Sequence, residues 1–205
     1  MQAKAIYEKI AALFGDAVSD YTEGGGAKDP FFKVKGDKLG DVMRTLRDDA
    51  ELHFDYLQNL TAVDWLKQDI MQVVYHLYSY DKRHEIVVKV DVPRKDPVVP
   101  SVVELWPTAN WLEREQYDLL GVAFSGHPEL KRLLMPDDWV GHPMRKDYKE
   151  AAEYRGMSTT RYSPLELLVA FDKANPQVEG GRPVAAPKPE KPAAKPAPAA
   201  PKATE

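Results

Sequence analysis

The 205-residue sequence contains no cysteine. This absence excludes disulfide bonds, iron–sulfur ligation by this chain, zinc–thiolate sites and cysteine nucleophiles. Long apolar runs are missing too, since no window approaches the ~18 apolar residues that a membrane span requires. The first nine residues include no uninterrupted apolar segment of the kind found in secretory signals. We therefore expect no membrane span and no signal peptide, so that membrane association would depend on another chain.

The last part of the sequence has almost no large apolar side chains. Residues 182–205 contain no aromatic residue, and seven of the 17 prolines fall between positions 183 and 205. Such a segment buries too little apolar surface to offset the entropy of ordering it. We expect a disordered Pro/Ala/Lys tail, acting either as a solvated linker or as a weak tether to an acidic partner or lipid surface.

The charge is distributed unevenly between this tail and the rest of the chain. Residues 182–205 carry five basic and two acidic residues, so the formal net charge of −4 leaves −7 on residues 1–181. An acidic body lacks the broad basic surface of a nucleic-acid-binding protein. The sequence also has no P-loop, no Gly-x-Gly-x-x-Gly after a strand and no nucleophile elbow, which argues against nucleotide binding by this chain.

Hydrophobic periodicity predicts a two-layer α+β domain with helices packed on a mixed sheet. Gly15 and Gly121 are expected to end two of the helices. The predicted domain covers residues 1–121, an extended irregular arm with a short helix covers 122–181, and the tail follows. The expected helices span residues 3–14, 39–46, 106–120 and 163–168, and the expected strands span 31–35, 70–78 and 85–92.

Charged, aromatic and turn-forming residues concentrate between positions 113 and 148. Within this stretch seven acids face five bases, which fits ion pairing with a protein better than binding to RNA. Aromatic residues interspersed with arginine are typical of the energetic centres of protein interfaces. The candidate interface residues are Glu113, Arg114, Glu115, Asp118, Gly121, Gly126, His127, Pro128, Trp139, Gly141, His142, Pro143, Arg145, Lys146, Asp147 and Tyr148.

Each of the two histidines in this cluster stands in a Gly-His-Pro tripeptide. Proline biases the preceding histidine towards an extended backbone, and glycine frees the turn before it. This pattern favours two matched turns in which the imidazoles form local hydrogen bonds. Metal binding and a protonation role at an interface are the alternatives, although the spacing matches no helical His-x-x-x-His pair.

The acidic residues of the third predicted helix have a plain interpretation as surface groups. Arg114 and Asp118 are four residues apart, and Glu113 is expected to face Tyr117, which are surface-stabilising arrangements. Glu113 and Glu115 are two residues apart and point to different sides, so they do not form an acid–base pair. We expect no catalytic, cofactor-binding or metal-binding residue on this chain.

The ordered motifs of this region resemble those of one family, the C subunit (30 kDa type) of the proton-translocating NADH:quinone oxidoreductase, respiratory complex I. The resemblance covers roughly residues 30–150. It rests on the runs Leu60–Trp65, Val74–Ser79, Trp111–Gly121, Phe124–Leu130, Leu133–Trp139 and Gly141–Tyr148.

This resemblance implies a non-catalytic subunit of the peripheral arm, held by partner subunits at the cytoplasmic face of the cell membrane. It implies docking to the D subunit of the quinone module, with the B subunit nearby, in an enzyme that couples electron transfer from NADH to quinone with proton translocation. FMN, iron–sulfur clusters and quinone would then bind to partner subunits. The alternatives are the equivalent subunit of a membrane-bound hydrogenase or ferredoxin-driven complex, and a stand-alone metal-dependent hydrolase using His127 and His142.

Overall fold

The fold is taken from a computed structural model of the chain, which describes residues 2–24 and 29–159. The predicted disordered tail and the predicted short helix at 163–168 lie outside these residues. The helices are α1 (Ala3–Phe14), α2 (Leu39–Asp48) and α3 (Ala109–Leu120). The strands are β1 (Val18–Thr22), β2 (Phe31–Val34), β3 (Tyr56–Trp65), β4 (Ile70–Ser79), β5 (His84–Pro93), β6 (Val98–Pro100), β7 (Ala123–Ser125), β8 (Glu153–Tyr154) and β9 (Met157–Ser158).

Five strands form one mixed sheet in the order β1-β2-β5-β4-β3. Strands β3, β4 and β5 are antiparallel neighbours, whereas β2 runs parallel to β5. Dense β-branched and aromatic residues favour β4 and β5 as strands, and a short turn joins them as the sequence predicts. The predicted α+β class, with helices and a mixed sheet, is confirmed.

The core lies between one face of this sheet and helices α1 and α2. Alternate residues of β4 and β5 join it, including Val73, Tyr75 and Val88, together with Ile10 of α1 and Leu46 of α2. This alternation follows from the two-residue side-chain period of a strand. The sheet face that packs against the helices is thereby fixed.

Helix α3 lies against the edge strand β3. The side-chain Oε1 of Gln116 accepts a hydrogen bond from the main-chain N–H of Ala62 at 3.0 Å. Gly121 ends the helix in the left-handed conformation, as predicted, with φ of 73°. The predicted start at Trp106 is wrong by three residues, because the chain before Ala109 forms separate turns, with the N–H of Trp106 donating to Val102 and that of Ala109 donating to Trp106.

Two strands of the main sheet, β1 and β3, were not predicted. The register of β3 shifts between Leu57 and Asn59, and this irregularity breaks the apolar alternation that identifies a strand. Leu13, predicted for the buried face of α1, is exposed instead. The buried stripe of α1 includes Tyr7, Ile10 and Phe14, which leaves Leu13 at its margin.

The chain divides into two compact units, residues 1–150 and 151–205. The first unit therefore includes residues 122–150, the part of the predicted arm that we call the proximal arm. Gly121 marks the change from regular to irregular backbone, while the packing unit continues beyond it. In the second unit, β8 and β9 pair as a short antiparallel hairpin. No helix of residues 2–24 and 29–159 is both long and apolar enough to cross a bilayer.

Candidate partner interface

Glu113 is buried inside the first unit. Its Oε1 accepts a hydrogen bond from the N–H of Val102 at 2.8 Å, and its Oε2 accepts one from the hydroxyl of Ser101 at 2.6 Å. Burial raises the pKa of the Glu113 carboxyl to about 7, and the two hydrogen bonds only partly oppose this effect. The surface position predicted for Glu113, facing Tyr117, is therefore wrong. Its carboxyl group connects α3 to the segment that follows β6.

Asp118 is also buried, and it organises the proximal arm. One of its oxygens, Oδ2, accepts the consecutive main-chain N–H groups of Leu133, Leu134 and Met135 at 3.0, 2.7 and 2.8 Å. The other oxygen pairs with Arg132 at 3.1 Å. Burial opposes ionisation of Asp118, but the three N–H groups and the guanidinium outweigh it, so its pKa lies below the usual value.

The predicted surface pair between Arg114 and Asp118 is not formed. Arg114 instead donates hydrogen bonds to the main-chain oxygens of Lys131 and Arg132 at 3.2 and 3.4 Å. Its guanidinium lies over the ring of Trp111, at 5.3 Å from the centroid. Helical spacing alone suggested a neighbour on the same helix, whereas the arm offers both side chains partners with fixed geometry.

A second connection to the proximal arm starts from Asp64 on β3. Its carboxylate accepts hydrogen bonds from Nε and Nη2 of Arg94 at 2.7 and 3.1 Å. It also accepts one from the main-chain N–H of Lys146 at 2.8 Å. Arg94 in turn forms an ion pair with Asp147. The guanidinium and then the Lys146 N–H hold the pKa of Asp64 below its usual value, despite burial. Asp64 and Arg94 were not among the candidate residues.

The sequence does contain a signal for Asp64. It follows Leu60 and Ala62 on the core-facing side of β3, where an isolated carboxylate has to find a partner. The identity of that partner is not readable from spacing, since Arg94 stands 30 residues away and Lys146 stands 82 residues away.

The two histidines form the local hydrogen bonds expected for Gly-His-Pro turns. Nδ1 of His127 accepts the N–H of Glu129 at 3.0 Å, and its Nε2 lies 3.3 Å from the main-chain oxygen of Asn110. Nδ1 of His142 donates to the main-chain oxygen of Asp118 at 2.9 Å. Within residues 2–24 and 29–159, no group of three or more histidine or acidic side chains is arranged to hold a metal ion.

The glycines before these turns adopt positive φ, and Gly121 allows a close contact with the second turn. Gly126 and Gly141 have φ of 83° and 82°, in the left-handed region that favours glycine. Pro128 and Pro143 stand two residues after them. A side chain at Gly121 would come within 2.6 Å of the His142 ring, so the end of α3 and the second turn fit together only with glycine at this position.

The remaining candidate residues are held largely by contacts within the first unit. Nε of Arg145 donates to the main-chain oxygen of Leu120 at 2.7 Å, and the indole N–H of Trp139 donates to the hydroxyl of Tyr148 at 3.0 Å. Glu115 is half-buried on α3. Contact of these residues with a partner stays a prediction.

Several apolar side chains of the proximal arm remain exposed. The exposed fractions are 61% for Leu134, 84% for Val140 and 60% for Met144. We call these three residues the arm patch. The main chain of the same segment is bonded within the first unit at Leu134, Gly141 and Met144, so apolar side chains are presented on a fixed main chain. Such an arrangement suits binding to another protein.

Comparisons with known proteins identify the family of this chain. Residues 32–154 match the model of the family described as the 30 Kd subunit of respiratory-chain NADH dehydrogenase. The chain is 46% identical over 149 residues to the C subunit of NADH-quinone oxidoreductase from Roseiflexus castenholzii, covering 72% of this chain and 84% of the relative. It is 42% identical to the C subunit of the same enzyme from Chlorobium phaeobacteroides, covering 76% and 94%.

Two solved structures share the fold. A trypsin-resistant fragment of Nqo5 aligns with a TM-score of 0.53 and 28% identity, covering 63% of this chain and all of the fragment. A chain of an archaeal membrane-bound sulfane sulfur reductase aligns with a TM-score of 0.58 and 24% identity, covering 86% and 93%, a likeness of fold alone. The match of the family model across residues 32–154 and the identity to the two C subunits place the chain in the C-subunit, or 30 kDa, family of NADH-quinone oxidoreductase, the respiratory complex I.

Proposed function

We propose that this chain is a non-catalytic structural subunit that helps to build the quinone-reducing module of complex I. Its proximal arm docks to the D subunit, with the B subunit nearby. The complex passes electrons from NADH to quinone and translocates protons, while FMN, the iron–sulfur clusters and quinone bind to partner subunits. Partner subunits hold the chain at the cytoplasmic face of the cell membrane.

The arm patch is the observation that carries this proposal. Apolar side chains exposed by 60% or more stand on a segment whose main chain is already fixed by Asp118 and Asp64. Prior fixing of a binding segment lowers the entropic cost of association. Arg132 and Asp147 of the same segment are paired within the chain, so we assign the contact mainly to the apolar groups.

The proposal is tested by making the arm patch polar. We expect Val140→Ser combined with Met144→Gln to reduce co-purification with the D subunit by at least tenfold, because about 1.4 kcal/mol of lost binding energy has that effect. The thermal unfolding midpoint of the free chain should stay unchanged, because both side chains are already in solvent.

Leu13→Gln provides a matched control. Leu13 is 61% exposed on α1, outside the arm, and glutamine is compatible with a helix. This variant should retain full co-purification with the D subunit and full quinone-linked NADH oxidation in membranes. Normal assembly of the Val140→Ser/Met144→Gln variant would contradict docking through the arm patch.

A further inference from the structure

The ionic cluster around Asp64 joins three distant segments at one end of the sheet. Asp64 stands near the end of β3, Arg94 follows β5 directly, and Lys146 and Asp147 belong to the proximal arm. Because β4 lies between β3 and β5, the Arg94 side chain passes the start of β4 to reach the carboxylate. This cluster is the link between the sheet and the far end of the proximal arm.

Arg94 is held in place before it meets the arm. Its main-chain N–H donates to the oxygen of Asp69 in the turn between β3 and β4, at 3.1 Å. Its planar guanidinium donates hydrogen bonds from Nε and Nη2 to Asp64, and Nη2 also donates to Asp147. A fork of donors with fixed geometry suits this double contact, which a lysine ammonium could not reproduce.

Asp64 holds the proximal arm through a main-chain hydrogen bond at Lys146. Oδ2 of Asp64 accepts this N–H at 2.8 Å, so the carboxylate holds the backbone of the arm and needs no particular side chain there. The side chain of Asp64 is almost fully buried and that of Arg94 is 12% exposed, whereas that of Asp147 is 53% exposed. The proximal arm therefore lies over an ion pair whose two members stand on β3 and directly after β5.

We propose that Asp64 is a positioning residue which, with Arg94, acts as a latch that holds the end of the proximal arm in its binding-competent place. The latch sets the fraction of molecules whose arm lies against the sheet. The apparent affinity for a partner falls in proportion to that fraction, since only the docked arm presents the arm patch correctly. The effect on partner affinity rests on the proposed docking function, whereas the latch itself is a property of the free chain.

The latch is tested first in the free full-length chain by amide hydrogen exchange measured with NMR. Asp64→Asn keeps the shape of the side chain but removes its charge. We expect exchange at Lys146 and Tyr148 to become at least tenfold faster, while amides of β4 such as Val73 and Leu77 keep their protection. The amide of Met144 should accelerate less than that of Lys146, because its own bond goes to the oxygen of Leu119.

Matched variants separate the latch from general destabilisation. Asp69→Asn makes the same substitution in the neighbouring turn, where the aspartate is exposed, and should leave exchange unchanged. Arg94→Lys retains the charge without the fork and should accelerate exchange at Lys146 less than Asp64→Asn does. Asp147→Ala, at the outer end of the latch, serves if Asp64→Asn does not fold, and a smaller acceleration confined to residues 146–148 is then expected.

Two results would overturn the latch. Equal acceleration in β4 and in the arm would mean that Asp64 merely stabilises the whole unit, and unchanged exchange at Lys146 would mean that Asp64 does not hold the arm. The link to assembly is measured by titrating each variant with the D subunit. Faster arm exchange with unchanged affinity would overturn the positioning role, whereas loss of binding in the arm-patch variant alone would still support docking.

Discussion

Individual buried carboxylates organise this protein. Glu113, Asp118 and Asp64 each accept main-chain N–H groups from a segment distant in sequence, and each is buried in the first unit. A buried carboxylate that loses such partners pays the full cost of desolvation. Asp118 and Asp64 thus convert the proximal arm, which has little secondary structure of its own, into a defined surface, and Glu113 fixes the segment after β6.

Glu113 differs from the other two because no cation pairs with it among the described residues. Its folded-state pKa of about 7 lies above the ordinary value of 4.5, so the folded protein binds a proton more tightly than the unfolded chain between these pH values. Stability contributed by this group is therefore present below about pH 4.5 and lost as the pH rises towards 7.

We predict that Glu113→Gln removes this pH dependence. The free energy of unfolding of the variant minus that of the natural chain should rise by roughly 2–4 kcal/mol from pH 5 to pH 8. The reason is that the natural carboxyl becomes charged while buried, whereas the amide carries no charge to desolvate. Urea unfolding at several pH values measures this difference. Glu115→Gln makes the same substitution at a half-buried position of the same helix and is the matched control. Parallel pH curves for Glu113→Gln and the natural chain would rule out the charged-state penalty.

At the scale of whole elements, the end of α3 packs closely against the proximal arm at Gly121. Gly121 adopts a positive φ, and the space that its side chain would need is filled by His142 and by Nη2 of Arg145. The proximal arm can therefore lie against the last turn of α3 only if this position has no Cβ atom. The helix terminus and the second Gly-His-Pro turn form one packed feature.

We predict that Gly121→Ala costs more stability than Gly126→Ala. Both glycines have positive φ, which costs about 1–2 kcal/mol for a residue with a Cβ atom. Only at Gly121 would the new methyl group also displace His142, since no atom lies within 4 Å of a Cβ atom at Gly126. Urea unfolding of both variants isolates the contact as the difference between them, and equal losses would show that His142 yields freely.

The sequence predicted the three helices and three strands of the main sheet, β2, β4 and β5, because their signals are local, whereas the short strands β6 to β9 were not predicted. Periodic apolar residues identified α1 and α2, and β-branched runs identified β4 and β5. The strand β3 was missed because its irregular register hides the alternation, and the roles of Glu113 and Asp118 were misread because helical spacing says nothing about partners outside the helix. The partner of Asp64 was unpredictable because that contact joins segments 30 and 82 residues apart.

For the whole molecule, Arg145 lies where internal packing and the proposed interface meet. Its Nε caps the last turn of α3 through the oxygen of Leu120, so the side chain has a structural role in the free chain. Cations near the C-terminus of a helix also interact favourably with the helix dipole. Arg145, one of the candidate interface residues, therefore has a contact within the free chain, and its contact with a partner stays a prediction.

We predict that Arg145→Ala lowers the free energy of unfolding of the free chain by about 1 kcal/mol, the value of one such hydrogen bond. Affinity for the D subunit should fall by a larger amount, roughly 2–5 kcal/mol, if the guanidinium also meets a partner carboxylate that is left buried and unpaired. Arg145→Lys keeps the charge but loses the planar fork, and should restore the helix contact better than the binding. Urea unfolding of the free chain, measured beside its titration with the D subunit, separates the two roles. Affinity that is unchanged while stability falls would assign Arg145 to the interior of this subunit, and the apolar arm patch would then carry the contact without it.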